Sequence, residues 1–150
     1  MLQILCQHKE HKLTEAMCCD LKQLAARVMD SHCIIGDINL VIANDAKLQD
    51  LNLNFRGQDR ATDVLSFNYN NKVQIQARNH KEVEGVQGEI YISRNRVVEQ
   101  AADMGVSEHD ELCRLMVHAL LHLAGFEHNT VEELNVMESE TDRFIGEHKS

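Results

Sequence analysis

Three histidines stand close together late in the chain, at His118, His122 and His128. His118 and His122 are four residues apart, so on a helix their side chains project from one face, one turn apart. Gly125 follows where such a helix has to stop, because glycine accepts the left-handed conformation that caps helices. The chain can then turn back toward the helix. This spacing predicts that three imidazoles converge on one point.

Three converging imidazoles suit a divalent transition metal, and zinc is the first choice. Three protein ligands leave one coordination position open for water, which is the pattern of catalytic rather than structural zinc sites. A zinc ion in such a site lowers the pKa of its bound water to about 7 and acts as a Lewis acid. We therefore predict one zinc ion on His118, His122 and His128.

The helix that carries His118 and His122 is apolar on nearly every side, which favours a metal site over two unrelated core histidines. A lone histidine on an apolar helix is more often a hydrogen-bonded core residue than a ligand. Two neighbouring buried imidazoles nevertheless need polar partners, which a metal ion supplies. The other histidines stand in polar stretches, where we expect solvent to accommodate them: His8, His11, His32, His80, His109 and His148.

The spacing His-x3-His-x2-Gly-x2-His also resembles that of the metzincin metallopeptidases. Those enzymes carry a glutamate directly after the first histidine, as the general base that activates water. Ala119 holds that position here. A metallopeptidase would need a base from elsewhere in the chain, and this alternative is kept as the weaker one.

The segments around the histidines alternate between strand-like and helix-like patterns. Apolar residues with a period of two predict strands at residues 2–7, 33–42, 64–67 and 88–93. Helical spacing and capping side chains predict helices after Thr14, after Asn44, from Ser93 to near Gly105, over 108–124 and over roughly 130–146. A polar loop is predicted at 56–63, and a mobile loop or outer hairpin at 69–86.

This element order predicts an α+β fold in a single domain over residues 1–150. We expect a mixed sheet of about four strands packed with helices, and the metal site on the buried helix near 108–124.

Composition sets further expectations. The net charge of −9 argues against a protein that coats nucleic acid by bulk electrostatics, although a local basic cleft can still hold phosphates. No apolar run approaches the roughly 18–20 residues that span a membrane, so no membrane partner is expected. The five cysteines are odd in number and form no Cys-x-x-Cys pair. We expect them to be reduced and mostly buried in a cytoplasmic protein.

Two segments resemble motifs of the YbeY family of bacterial endoribonucleases. Residues 118–128, His-Ala-Leu-Leu-His-Leu-Ala-Gly-Phe-Glu-His, are similar to the family's His-Gly-x-Leu-His-Leu-x-Gly-Tyr-Asp-His. Residues 54–67, Asn-Phe-Arg-Gly-Gln-Asp-Arg-Ala-Thr-Asp-Val-Leu-Ser-Phe, are similar to Arg-Gly-x-Asp-x-x-Thr-Asp-Val-Leu-Ser-Phe. Gly88-Glu89-Ile90 stands where the family usually has Gly-Asp-Ile. The substitutions at Ala119, Phe126, Glu127 and Glu89 remove no predicted metal ligand.

The resemblance implies a single-domain α+β fold, zinc on the three histidines, and cleavage of single-stranded RNA. It also implies a part in 16S ribosomal RNA 3′-end maturation and ribosome quality control. The implied partners are single-stranded ribosomal RNA and the small ribosomal subunit, including ribosomal protein S11. A third interpretation is a metal-stabilised ribosome-assembly binding factor without turnover.

Cleavage of a phosphodiester needs a cation against the developing negative charge, and Arg56 is the candidate. It precedes Gly57 in the predicted loop, where a guanidinium can grip phosphate through two hydrogen bonds. The alternative is a surface arginine that caps the preceding helix. We predict Arg56, His118 and His122 as catalytic residues, while Asp63 and Ser66 are candidates for orienting water or supporting a ligand.

Overall fold

Four strands form one mixed sheet in the order β1-β2-β4-β3. In the computed structural model, which describes residues 1–69 and 86–150, they span Leu2–Cys6 (β1), Asp37–Ala43 (β2), Val64–Asn68 (β3) and Val86–Ser93 (β4). β1, β2 and β4 run parallel, and β3 pairs antiparallel with β4 at one edge. The predicted α+β class and mixed four-stranded sheet are confirmed.

Helices make up most of the rest of the described chain. A short 3-10 turn at Lys9–His11 is followed by α1 (Glu15–Ser31), α2 (Asp45–Arg56), α3 (Arg94–Met104), α4 (Glu108–Leu123) and α5 (Val131–Lys149). Helix α4 is the predicted histidine-bearing helix, and it is buried along most of its length. It packs against α1, α3 and α5 and against strands β3 and β4, so its position is fixed from several sides.

Side-chain caps explain where three of the helices begin. Thr14, Asn44 and Ser93 each accept a hydrogen bond from the backbone N–H three residues further on, at 3.1, 2.9 and 3.3 Å. Such a cap satisfies one of the four N–H groups that a helix start leaves without an intrahelical partner. These three starts agree with the sequence prediction.

The two faces of the sheet are covered by different helices. One face packs against α1, α4 and α5 in the larger apolar cluster, in which Phe144, Met116 and Met137 are fully buried. The other face carries a smaller cluster with α2, where Leu48 and Leu51 meet Phe67. Helices α2 and α4 therefore approach the β3 edge from opposite faces, which brings their side chains toward one opening.

Several predicted boundaries differ from the structure. Strand β2 begins at Asp37 rather than at residue 33, because Cys33 and Gly36 adopt positive φ angles of 55° and 94° and break the extended backbone. The last helix continues to Lys149. The loop or hairpin predicted at 69–86 lies outside the described residues except at its two ends.

The cysteines are free, but the expectation that most are buried is wrong. Cys113 is buried, Cys6 and Cys18 are half-buried, and Cys19 and Cys33 are exposed. The exposed two lie on the solvent side of α1 and in the turn before β2, where no core residue is needed. None of the helices within the described ranges has the length and apolar character to cross a membrane.

Candidate functional site

The last two turns of α4 and the segment after it bring His118, His122 and His128 together. Gly125, with φ of 107°, reverses the chain after α4, so His128 returns toward the helix. The ring centroids are 5.4 Å apart for His118 and His122, 5.6 Å for His118 and His128, and 4.6 Å for His122 and His128. One nitrogen from each ring lies within 4.8 Å of the others. We call these three residues the histidine triad.

The surroundings keep the two helical histidines of the triad neutral. Burial, with the neighbouring His122 and His128 and the charge of Arg114, lowers the pKa of His118 from 6.5 to about 4. Burial also lowers the pKa of His122, and His128 and Arg56 act in the same direction. A neutral imidazole is the form that binds a metal ion, so these ligands need no deprotonation at neutral pH.

The triad forms one wall of a cavity of about 330 Å³. The opposite wall comes from the end of α2 and the segment that leads into β3, and includes Arg56, Asp63 and Ser66. A second cavity of about 370 Å³ adjoins it and shares Arg56, Ser66, His122 and His128. The two sequence segments that were singled out independently thus face each other across one opening.

Arg56 is the final residue of α2, and not a loop residue as predicted. Gly57 follows in the left-handed conformation, with φ of 68°, and its N–H bonds to the Leu53 carbonyl at 3.0 Å. Within residues 1–69 and 86–150, Arg56 has no carboxylate in ion-pair distance. Partial burial lowers the pKa of its guanidinium, which nevertheless stays charged at neutral pH. Arg56 therefore offers the cavity a positive charge that no described carboxylate neutralises.

Asn52 holds the far wall of the cavity in place and was missed from the sequence. It is buried one turn before Arg56, and its side-chain N–H₂ donates to the Arg60 carbonyl at 3.0 Å. This bond ties the segment 57–63 back onto α2. An asparagine on the apolar face of a predicted helix was the available signal, because a buried amide there needs a partner.

Glu111 and Arg114 form a second feature that the sequence analysis missed. Glu111 is fully buried in α4, and its two carboxylate oxygens accept from Arg114 at 2.6 and 2.8 Å. Arg114 lies one turn before His118 and acts on its pKa. A glutamate and an arginine three residues apart in a helix that is otherwise apolar were the signal.

The other residues singled out from the sequence have mixed outcomes. Asp63 and Ser66 line the cavity, and the Asp63 carboxylate accepts from the Gln100 amide at 3.3 Å. Glu127 lines the adjoining cavity. Glu89 instead bonds with Tyr69 and Tyr91 through their hydroxyl groups, and burial raises the pKa of its carboxyl.

The expectation that solvent accommodates the remaining histidines is wrong for several of them. His11 is buried, and His32 bonds with Glu140 at 3.0 Å. His109 and His148 both bond with Asp20 at 2.6 Å. The polarity of the flanking sequence misled the prediction, because these partners come from distant helices. His80 lies outside the described residues.

The donor set of the histidine triad fits a divalent transition metal. The three atoms are imidazole nitrogens, the ligands that zinc accepts alongside thiolate and carboxylate. The pKa of His118 and that of His122 are lowered, and the triad opens on a cavity large enough for water and a substrate group. Within the described chain, the three imidazole nitrogens of the triad therefore have a geometry that could hold a metal ion.

Comparisons with known proteins give a consistent answer. Residues 3–149 match the sequence model of a family described as Endoribonuclease YbeY. A Brevibacillus brevis protein named Endoribonuclease YbeY is 33% identical over 147 residues, which cover 91% of this chain and 92% of that protein. One of the same name from Rhodospirillum rubrum is 36% identical over 113 residues, which cover 73% of this chain and 54%, or about half, of the relative's length.

A solved structure supports the fold over the whole chain. The solution structure of a Thermotoga maritima protein is similar with a TM-score of 0.61 and 27% sequence identity. The match covers 99% of this chain and 92% of that protein.

Proposed function

The chain belongs to the YbeY family of endoribonucleases, and we propose that it is a zinc-dependent endoribonuclease specific for single-stranded RNA. In this proposal His118, His122 and His128 hold one zinc ion, and Arg56, His118 and His122 are the catalytic residues. The observation that carries the proposal is the histidine triad facing Arg56, which has no described ion-pair partner, across one cavity. Such a pairing of a metal site with a free cation suits a phosphodiester better than a neutral substrate.

Zinc held by His118, His122 and His128 would supply Lewis acidity and an activated water at neutral pH. The protein's part is to hold three imidazole nitrogens within 4.8 Å of one another, with the pKa of His118 and that of His122 lowered. Helix α4 fixes His118 and His122, since it is packed on several sides. His128 depends on the reversal at Gly125 and is the most exposed of the three.

Arg56 binds the scissile phosphate in this proposal. A guanidinium donates two parallel hydrogen bonds to phosphate oxygens and stabilises negative charge that grows there. Partial desolvation strengthens that interaction, because surrounding protein replaces some of the screening water. Asn52 supports it by anchoring the neighbouring segment through the Arg60 carbonyl.

Asp63 is a positioning residue on the far wall. Its charge acts to raise the pKa of His118, so its carboxylate is close enough to that ring to interact electrostatically. Its backbone carbonyl accepts from Ser93 N–H at 2.9 Å, and this bond fixes the entry to β3. Asp63 thereby orients groups in the cavity, and Ser66 lines the same wall.

The wider role that we propose is in 16S ribosomal RNA 3′-end maturation and ribosome quality control. The partners would be single-stranded ribosomal RNA and the small ribosomal subunit, including ribosomal protein S11, in the cytoplasm. The support is family membership together with the electrostatics of the chain. Because the net charge is −9, RNA has to be held by a local site and by assembly partners rather than by the whole surface.

The test compares three substrates in one experiment. Purified protein is incubated with a labelled single-stranded RNA, the same RNA as a duplex, and casein. We expect cleavage of the single strand alone, lost in His118→Ala and kept in His8→Ala, a matched change at an exposed histidine outside the cavity.

Two outcomes would contradict the proposal. Casein cleavage without RNA cleavage would favour the metallopeptidase alternative, although Ala119 in the cavity wall offers no general base. Binding to small ribosomal subunits that survives loss of all three histidines, without cleavage of any RNA, would favour a non-catalytic assembly factor.

A further inference from the structure

A second group of metal-ligating side chains lies at the junction of α1, α4 and α5. It consists of Asp20, His109 and Cys113, which we call the Asp20 cluster. His109 Nε2 is 2.6 Å from one Asp20 carboxylate oxygen and 3.6 Å from Cys113 Sγ, and Cys113 Sγ is 4.0 Å from that same oxygen. The other carboxylate oxygen is 2.6 Å from His148 Nε2. Three helices therefore meet in one group of polar side chains.

Helix geometry explains how these residues converge. His109 and Cys113 are four residues apart on α4, so they share a face. Asp20 reaches them from α1, which packs against α4, and His148 arrives from the last turn of α5. Cys113 is buried, whereas 38% of the Asp20 side chain is exposed. The cluster is thus enclosed on one side and open to solvent on the other.

We propose that the Asp20 cluster is a second divalent-metal site, of the zinc type, that links α1 to α4. Its donors are one thiolate, one imidazole and one carboxylate, each of which zinc binds in proteins. His148 supports Asp20 through the far carboxylate oxygen, in the manner of the outer hydrogen bonds that orient metal ligands. The fourth position is left for water on the open side.

The distances suit this assignment. Ligand bonds of about 2.0–2.3 Å place neighbouring ligands of a tetrahedron roughly 3.3–3.8 Å apart. The sulfur lies 3.6 Å from the imidazole nitrogen and 4.0 Å from the carboxylate oxygen. The 2.6 Å separation of His109 and Asp20 must lengthen and the 4.0 Å separation of sulfur and carboxylate oxygen must shorten, and a small rotation of the partly exposed carboxylate changes both.

The charges suit it as well. Although partly desolvated, the carboxyl of Asp20 has a lowered pKa because His109 and His148 bond to it, and the His148 bond to the far oxygen remains when His109 Nε2 binds a metal instead. Burial, with the nearby Asp20 and Asp110, raises the pKa of the Cys113 thiol to about 12. Metal binding has to displace this thiol proton, which the raised pKa makes harder, and the resulting thiolate and the carboxylate together balance a divalent charge.

Cobalt(II) distinguishes this site from the histidine triad. Cobalt bound to a thiolate absorbs in the near ultraviolet through ligand-to-metal charge transfer, and the triad contains no sulfur ligand. We expect the full-length protein to show this band on titration with Co²⁺, and to show it equally after His118→Ala. Cys113→Ser should abolish the band, while Cys19→Ser, a matched change at an exposed cysteine next to Asp20, should keep it.

A second variant covers the case in which Cys113→Ser does not fold. Asp20→Asn alters a partly exposed residue. We expect it to lower the affinity for Co²⁺, measured by titration of this band, by at least about tenfold. Three results would overturn the proposal. They are absence of the band in folded wild-type protein at saturating Co²⁺, persistence of the band in Cys113→Ser, and unchanged Co²⁺ affinity in Asp20→Asn. The cluster would then be a hydrogen-bonded contact between helices and nothing more. None of these results depends on RNA cleavage.

Discussion

The two halves of helix α4 carry histidines in opposite settings. The carboxyl-terminal half contributes His118 and His122 to a set of three nitrogen donors that opens on a cavity. The amino-terminal half contributes His109 to a mixed set with a carboxylate and a buried thiol, wedged between helices. Both groups can hold a metal ion by their donors. What separates them is the charge and the space around them.

The histidine triad has a cation for a neighbour, and the Asp20 cluster carries its own anion. Arg56 faces the triad without a described carboxylate partner, so that site suits a negatively charged substrate. Asp20 already bonds to His109 and His148, so the carboxylate of the second site has hydrogen-bond partners on both of its oxygens. In our two proposals, one helix therefore contributes to a catalytic site at one end and to a metal link between helices at the other.

The pH dependence of stability should separate the two settings most strongly. Below pH 6.5 the unfolded chain takes up a proton at His118, whereas the folded chain excludes it until about pH 4. The metal-free protein should therefore lose stability as the pH falls through that window. We expect a lower urea midpoint at pH 5 than at pH 7.5 in the presence of a chelator, and a smaller drop in His118→Gln.

His8→Gln is the control for this measurement, because His8 is exposed and outside both metal groups. The urea midpoint of His8→Gln should fall with pH as steeply as that of the wild type. If the urea midpoint of His118→Gln were to fall just as steeply, the surroundings would not hold His118 neutral, and the contrast between the two settings would be lost.

A pair of glycines tests a second difference between the two groups. The end of a helix, at Arg56, completes the cavity of the histidine triad, whereas the Asp20 cluster is formed by packing between helices. Gly57 and Gly105 both cap helices with φ of 68°, and an added Cβ meets no atom within 4 Å at either position. Alanine should cost each variant about 1 kcal/mol of unfolding free energy from backbone strain alone. Only Gly57→Ala, next to Arg56, should also slow RNA cleavage, by a few-fold.

Gly105→Ala is thus the matched control, at the end of α3. Chemical denaturation and an RNA cleavage assay measure the two effects. Equal slowing of cleavage in both variants would mean that the turn after Arg56 does not position the guanidinium.

The histidine triad and most of the elements could be predicted from local sequence. The spacing from His118 to His128 lies within one helix and its turn, and capping residues such as Thr14 act on their own helix. The Asp20 cluster could not be predicted, because Asp20 and His109 are 89 positions apart and meet only when α1 packs on α4. The sequence around His109 and His148 is polar, but it does not show that both side chains bond with Asp20.

The position of Arg56 at the end of α2 could not be predicted from local sequence patterns. Glycine at position 57 predicted a break there, but not which side of the break the arginine occupies. Because Arg56 ends α2, its side chain is directed by a packed helix rather than by a loop. The buried side chain of Asn52, which reaches the Arg60 carbonyl, completes that support through a contact that spacing does not reveal.

The central claim is that the histidine triad and Arg56 are two halves of one phosphodiesterase site. Zinc content and the rate of single-stranded RNA cleavage, measured on the same preparations of wild type, His118→Ala and Arg56→Ala, test it most directly. We predict that His118→Ala loses one equivalent of zinc together with cleavage. Arg56→Ala should keep its zinc and cleave about 10²–10³ times more slowly. Wild-type cleavage by zinc-loaded Arg56→Ala, or cleavage by His118→Ala without that zinc, would contradict the account.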